Sequence, residues 1–60
     1  MNVSVCIVNW NTKDLLRKCI RSIKDKTTGI MYEIIVVDNG SRDGSVEMLY
    51  EEFPDCILIE

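Results

Sequence analysis

Apolar residues along this chain gather in three short runs, separated by two stretches in which they recur every three or four positions. Val3 to Val8 (VSVCIV) is β-branched and almost wholly apolar, and predicts a first strand buried on both faces. From Lys13 to Lys26 the apolar positions become Leu15, Leu16, Cys19, Ile20 and Ile23, with charges between them, which is one stripe of a helix. Asn11 or Thr12 is placed to cap it, and Asp14 falls in its first turn, where a negative charge suits the dipole. Thr27-Thr28-Gly29 stops it. A second continuous run, Glu33 to Asp38 after Tyr32, reads as another strand buried on both faces. Asn39-Gly40 breaks it. Val46, Leu49, Tyr50 and Phe53 then return to helical spacing, with Ser41 as the expected N-cap, Asp43 in the first turn and Pro54 as the stop. Cys56 to Ile59 (CILI) is the third strand.

The order β-α-β-α-β with short connections predicts an α/β fold: a parallel three-stranded sheet, order 3-2-1, with right-handed crossovers. Two helices leave half of such a sheet uncovered. The first strand reads as central in a larger sheet, yet nothing in the 60 residues covers its free edge. Residues 1–60 are therefore expected to be an incomplete domain, one that self-associates through the first-strand edge when isolated. A chain this short buries only about 60% of its unfolded surface.

Composition narrows the class. At 47% hydrophobic and 28% charged, with one proline, the chain is neither disordered nor collagen-like. No run is long enough for a membrane span and no signal-peptide pattern opens the chain, so a cytoplasmic location is expected, with membrane association open for a longer parent. Cys6, Cys19 and Cys56 lack CxxC spacing and histidine is absent, which leaves zinc without ligands. All three cysteines read as small buried hydrophobes. The formal charge is −3, but six of seven basic residues lie between Lys13 and Lys26. With no aromatic residue among them they read as a solvated helix face, and nucleic acid is not an expected partner. The sequons at Asn2 and Asn39 carry no weight without a secretion signal.

Candidate chemistry collects where the strands end. Asn9, Trp10 and Asn11 follow the first strand, Asp38 and Asn39 the second, and Glu60 the third. Open α/β sheets bind ligands along that rim. Trp10 can stack on a flat ring while Asp38 or Asn39 accepts from a ring N–H, a combination that suits a nucleobase. The start of the second helix can help hold an anion. Each residue also has a plainer use: Asp38 as a side chain that turns the loop, Asn39-Gly40 as turn chemistry, Trp10 as rim packing. Neither GxGxxG nor GK[ST] occurs, and no nucleophile stands beside a base. Glu51 and Glu52 read as solvated.

VSVCIVNWN, a helix of the DLLRKCIRSI type, and YEIIVVDNGSRDGSVEML together resemble the start of family 2 of the inverting, nucleotide-sugar-dependent glycosyltransferases with the GT-A, Rossmann-like fold. The resemblance covers essentially the whole chain, and the DNGS variant is similar to the rhamnosyltransferase-like members. It implies transfer of a sugar from a UDP- or dTDP-sugar to a hydroxyl of a saccharide, lipid or protein acceptor, as in cell-wall or polysaccharide biosynthesis. By position, Val8 and Asn9 would line the base site and Trp10 would pack on the base. Asp38 matches the first acid of the family's usual Asp-Asp pair, and Asn39 replaces the second, which faces the pyrimidine N3–H. An Asn oxygen accepts that bond without the charge.

The resemblance also implies a divalent metal, Mg or Mn, held by a DxD motif beyond residue 60, with the catalytic base beyond it too. These 60 residues alone are then expected to be inactive, with no catalytic residue among them. The competing expectation is a non-enzymatic α/β binding or regulatory module, similar in layout to receiver domains, that self-associates.

Overall fold

In a computed structural model, which describes residues 2–60, the expected order holds: β1 Asn2–Asn9, α1 Lys13–Lys26, β2 Met31–Asp38, α2 Ser45–Glu52, β3 Ile57–Ile59. The three strands are parallel in the order β1-β2-β3, so β2 is central. β1 lies at one edge of this sheet, as the expected order 3-2-1 has it. β1 runs one residue past its expected span at each end and β2 begins two residues earlier than expected, because the register carries pairing from Asn2↔Met31 to Asn9↔Asp38.

Both crossovers advance the same way across the sheet, so both helices pack on one face. That face carries Ile7 of β1, Ile34 and Val36 of β2 and Leu58 of β3, joined by Leu16, Ile20, Met48, Leu49 and Phe53. Ile20 and Val36 are fully enclosed. The opposite face has no cover. Cys6 is exposed on it, Val8 is 73% exposed, and Ile57 and Ile59 are exposed as well. The first two strands are therefore buried on one face only. Continuous apolar runs carry no phase, so the sequence alone does not separate a covered face from a bare one.

The helices show the same correction. On α1 only Leu16 and Ile20 are buried, with Ile23 beside them, while Leu15 and Cys19 are exposed. On α2 the buried line is Ser45, Met48 and Leu49, continued by Phe53, while Tyr50 faces out. Cys56 is half-buried, so two of the three cysteines are surface groups rather than core ones. A single sheet face accepts a narrower stripe than two layers would.

Polar clamps tie the helices together. The Arg17 guanidinium meets Glu52 in a fork, with Nη2 to Oε2 at 2.8 Å, and Arg21 adds a second contact at 3.2 Å. Lys24 donates to Asp55 at 2.7 Å and sits 5.9 Å from the Phe53 ring centre. Glu52 is thus paired, not simply solvated, and part of the basic helix face is committed to α2. α2 begins at Ser45 with Gly44 as its N-cap, four residues after Ser41. Gly44 has φ +88°, and the Asp43 carboxylate accepts from the Ser45 N–H at 3.1 Å, so the loop turns there.

Candidate nucleotide-binding rim

The last register pair of the β1–β2 ladder is Asn9 and Asp38, side by side on the helix-covered face. Both are buried, at 1% and 5% exposure, which is unusual for a carboxylate and an amide. Their burial is matched by hydrogen bonds. Asn9 Nδ2 donates to Asp38 Oδ1 at 2.9 Å and to Ser41 Oγ at 3.1 Å. Asn9 Oδ1 accepts from the Thr12 hydroxyl at 2.7 Å. Asp38 Oδ1 also accepts from Ser41 Oγ at 2.6 Å, and Oδ2 from the Ser41 N–H at 2.9 Å. No buried polar side-chain atom among the described residues lacks a partner.

Burial pushes the Asp38 carboxyl pKa up, but the Ser41 hydroxyl and N–H, the Asn9 amide and the Gly40 N–H together outweigh it and leave it lowered. Asp38 is an anion held by donors. It turns its loop as an Asx residue does, and it also faces Asn9, so the plain reading and the site reading share one residue.

Two loops meet above this pair. The Asn39 N–H donates to the Asn9 carbonyl at 2.9 Å, extending the ladder by one step. The Asn11 N–H donates to Ser41 Oγ at 2.9 Å, and the Arg42 N–H returns to Asn11 Oδ1 at 2.7 Å. The Lys13 N–H donates to Asp43 Oδ2 at 2.9 Å. Asn11 has φ +51°, a left-handed backbone that Asn tolerates. Trp10 lies between Asn9 and Asn11 and stays 63% exposed, and Asn39 is exposed next to Asp38.

The expected site residues therefore divide. Trp10 and Asn39 present themselves at the rim, Asn9 and Asp38 lie behind them, and the Val8 side chain stands on the uncovered face. Glu60 is exposed at the end of the chain. Ser41, Asn11 and Asp43, read from the sequence as capping or first-turn residues, are the connectors between the loops. The spacings Asp38-x-x-Ser41 and Asp43-x-Ser45 carry that signal, since short polar side chains at such offsets bond local backbone. An open depression of about 390 Å³ lies beside the rim against Asn11, Thr12, Lys13, Asp14, Leu15 and Asp43, and neither Trp10 nor Asn39 lines it.

A metal does not fit here. No three Asp, Glu, Cys or His side chains gather among the described residues, and the Asp38 oxygens are already engaged. No described helix is long and apolar enough to cross a membrane.

Comparison with known proteins agrees with this architecture. The sequence profile described as "Glycosyl transferase family 2" matches residues 4–60. The chain is 39% identical over 59 residues to the uncharacterized glycosyltransferase YfnE of Bacillus subtilis, covering 98% of the chain and 15% of that protein. It is 40% identical over 47 residues to the glycosyltransferase AglE of Haloferax volcanii, covering 77% of the chain and 16% of that protein. It is 33% identical over 64 residues to the poly(ribitol-phosphate) beta-glucosyltransferase of Bacillus spizizenii, covering all of the chain and 10% of that protein. No solved structure matches. The chain thus spans between a tenth and a sixth of the length of these relatives. With a profile matched over nearly its whole length and a parallel βαβαβ sheet to carry it, the chain belongs to glycosyl transferase family 2.

Proposed function

We propose that this chain forms the nucleotide-binding part of a glycosyltransferase that moves a sugar from a UDP- or dTDP-sugar to a hydroxyl acceptor. The observation that carries the proposal is the exposed pair Trp10 and Asn39, held at adjacent strand ends over the buried Asn9–Asp38 pair. Trp10 offers its ring to the base, and the Asn39 side-chain oxygen accepts from the pyrimidine N3–H. Val8 and the backbone of Asn9 flank the base. The poly(ribitol-phosphate) relative supports a cell-wall polymer as the class of acceptor. A divalent metal, where bound, would act as a Lewis acid on the departing diphosphate. The family resemblance implies that its ligands and the catalytic base lie beyond residue 60, and on that reading the 60-residue chain alone is expected to be inactive in sugar transfer.

Calorimetric titration with UDP and with dTDP, with and without Mn²⁺, of a longer protein containing this chain tests the reading. Micromolar binding that weakens in Trp10→Ala and Asn39→Ala supports it. A folded protein that binds neither nucleotide removes it.

We also propose that the isolated chain self-associates through the free edge of β1. That edge has unpaired backbone groups and adjoins the bare apolar face, and a second copy brings the same edge and the same face. Sedimentation that finds only monomer at millimolar concentration contradicts this.

A further inference from the structure

The Ser41 hydroxyl is saturated. It donates to Asp38 Oδ1 at 2.6 Å and accepts from Asn9 Nδ2 at 3.1 Å and from the Asn11 N–H at 2.9 Å. One hydroxyl has one donor and two acceptor positions, so nothing remains for a ligand. Behind it, both Asn9 amide hydrogens are used, Asp38 Oδ1 accepts twice and Oδ2 once, and Asp38 is only 5% exposed. Asn11 closes the circuit, with its N–H on Ser41 and its side-chain oxygen on the Arg42 N–H. These bonds join positions about thirty residues apart in the chain, across two loops. Trp10 sits in the middle, its neighbours on both sides fixed and its ring free.

We infer that Ser41 and Asn11 are positioning residues: with Asn9 and Asp38 they brace the two loops and set the direction of the Trp10 ring and of Asn39, without touching the nucleotide. The brace divides the rim into an outer pair that meets the ligand and an inner four that hold the pair still. Asp38 then acts through Ser41 and Asn9, rather than by accepting from the base. Only the binding part of this inference rests on the nucleotide reading given above.

Trp10 is the one tryptophan of the chain, so its emission reports on the brace directly. The measurement is fluorescence anisotropy of the full chain, first without ligand and then during titration with UDP. Ser41→Ala is expected to lower the anisotropy of Trp10 while far-UV circular dichroism stays unchanged, and Ser41→Thr, which keeps the hydroxyl, to restore it. UDP affinity is expected to fall roughly fivefold in Ser41→Ala, which removes all three hydrogen bonds of the hydroxyl but no contact to the ligand. Asn39→Ala is expected to weaken UDP binding with anisotropy unchanged. Should Ser41→Ala fail to fold, Asn11→Gly keeps the left-handed backbone and deletes the bridging oxygen, and Asn11→Asp keeps both. Lower anisotropy in the first and not the second carries the same conclusion.

Three results overturn the inference: wild-type anisotropy no higher than that of a short tryptophan peptide, unchanged anisotropy in the brace variants, or an Asp38→Asn variant that loses UDP affinity with Trp10 as rigid as before. If the wild-type chain ignores UDP, the nucleotide reading fails, while the ligand-free anisotropy still decides the brace.

Discussion

Asp38 shows how one side chain is made safe in a place that should exclude it. A buried carboxylate without donors would be protonated or would unfold its surroundings. Here the donors overcompensate, so the folded form holds the charge more firmly than the unfolded chain does. The sign follows. A lowered folded pKa contributes stability above the unfolded value, about 3.9, and that contribution disappears as pH falls through the folded value. Asp43, Glu52 and Asp55 are lowered as well, so the whole chain loses stability in acid, but these three are more exposed and more easily screened by salt. Urea midpoints measured from pH 7 down to about pH 3 should fall steeply in the wild type at 0.5 M salt, and less steeply in Asp38→Asn. At neutral pH that variant should already be weaker by about 1–3 kcal/mol, since its new N–H₂ group confronts the Ser41 N–H. Equal acid slopes in the two proteins would show that Asp38 carries no share of the pH dependence.

The helices and strands were legible in outline and not in phase. The periodicity of α1 places Leu15 and Leu16 on one stripe, but only Leu16 reaches the sheet. Ile20→Ala should cost about 2–5 kcal/mol, because Ile20 is fully enclosed. Leu15→Ala should change stability by no more than about 0.5 kcal/mol, because Leu15 is 66% exposed. Thermal melts of the two variants check the phase of the helix, and similar losses would place Leu15 in the core. The start of α2 lies later than its capping chemistry predicts, for a related reason. Ser41 has the chemistry of a cap, yet its hydroxyl is spent across the loops, and the turn is made by Gly44 in a left-handed backbone. An alanine there meets both that backbone and the Lys13 side chain, whose Nζ would lie 3.4 Å from the new Cβ. Gly44→Ala should therefore lose about 1–2 kcal/mol in chemical denaturation. Local propensity speaks for each segment alone. A bond from Asn11 to Arg42 belongs to neither segment, and so it left no trace in either pattern.

For the molecule as a whole, the family was readable from the strand-end motifs and the sheet order from the β-α-β-α-β element order, while the side chains that the uncovered half presents were not. The two helices lie over one face, so the other presents Cys6, Val8, Ile57 and Ile59 to water. Soluble domains seldom leave such a surface bare without a partner. A charge at its edge should discourage pairing: Cys6→Lys is expected to shift the isolated chain toward monomer in sedimentation, with circular dichroism unaltered, since Cys6 is exposed. The identical sedimentation profile in both proteins would remove the β1 edge from the interface.

The long reach of the bonds around Ser41 has a consequence in time. Residues about thirty apart meet only after β1 and β2 have aligned, since Asn9 and Asp38 close their ladder. The loop entropy of that meeting is met by the strands, and the polar rim is added afterwards. Folding rates should then be insensitive to Ser41→Ala, while unfolding accelerates by the whole of the lost stability. Stopped-flow chevrons separate the two limbs. On this order the rim is the last part of the chain to assemble and the first to come apart, and under the proposed function the residence of a nucleotide would follow a local opening rate and not the lifetime of the fold.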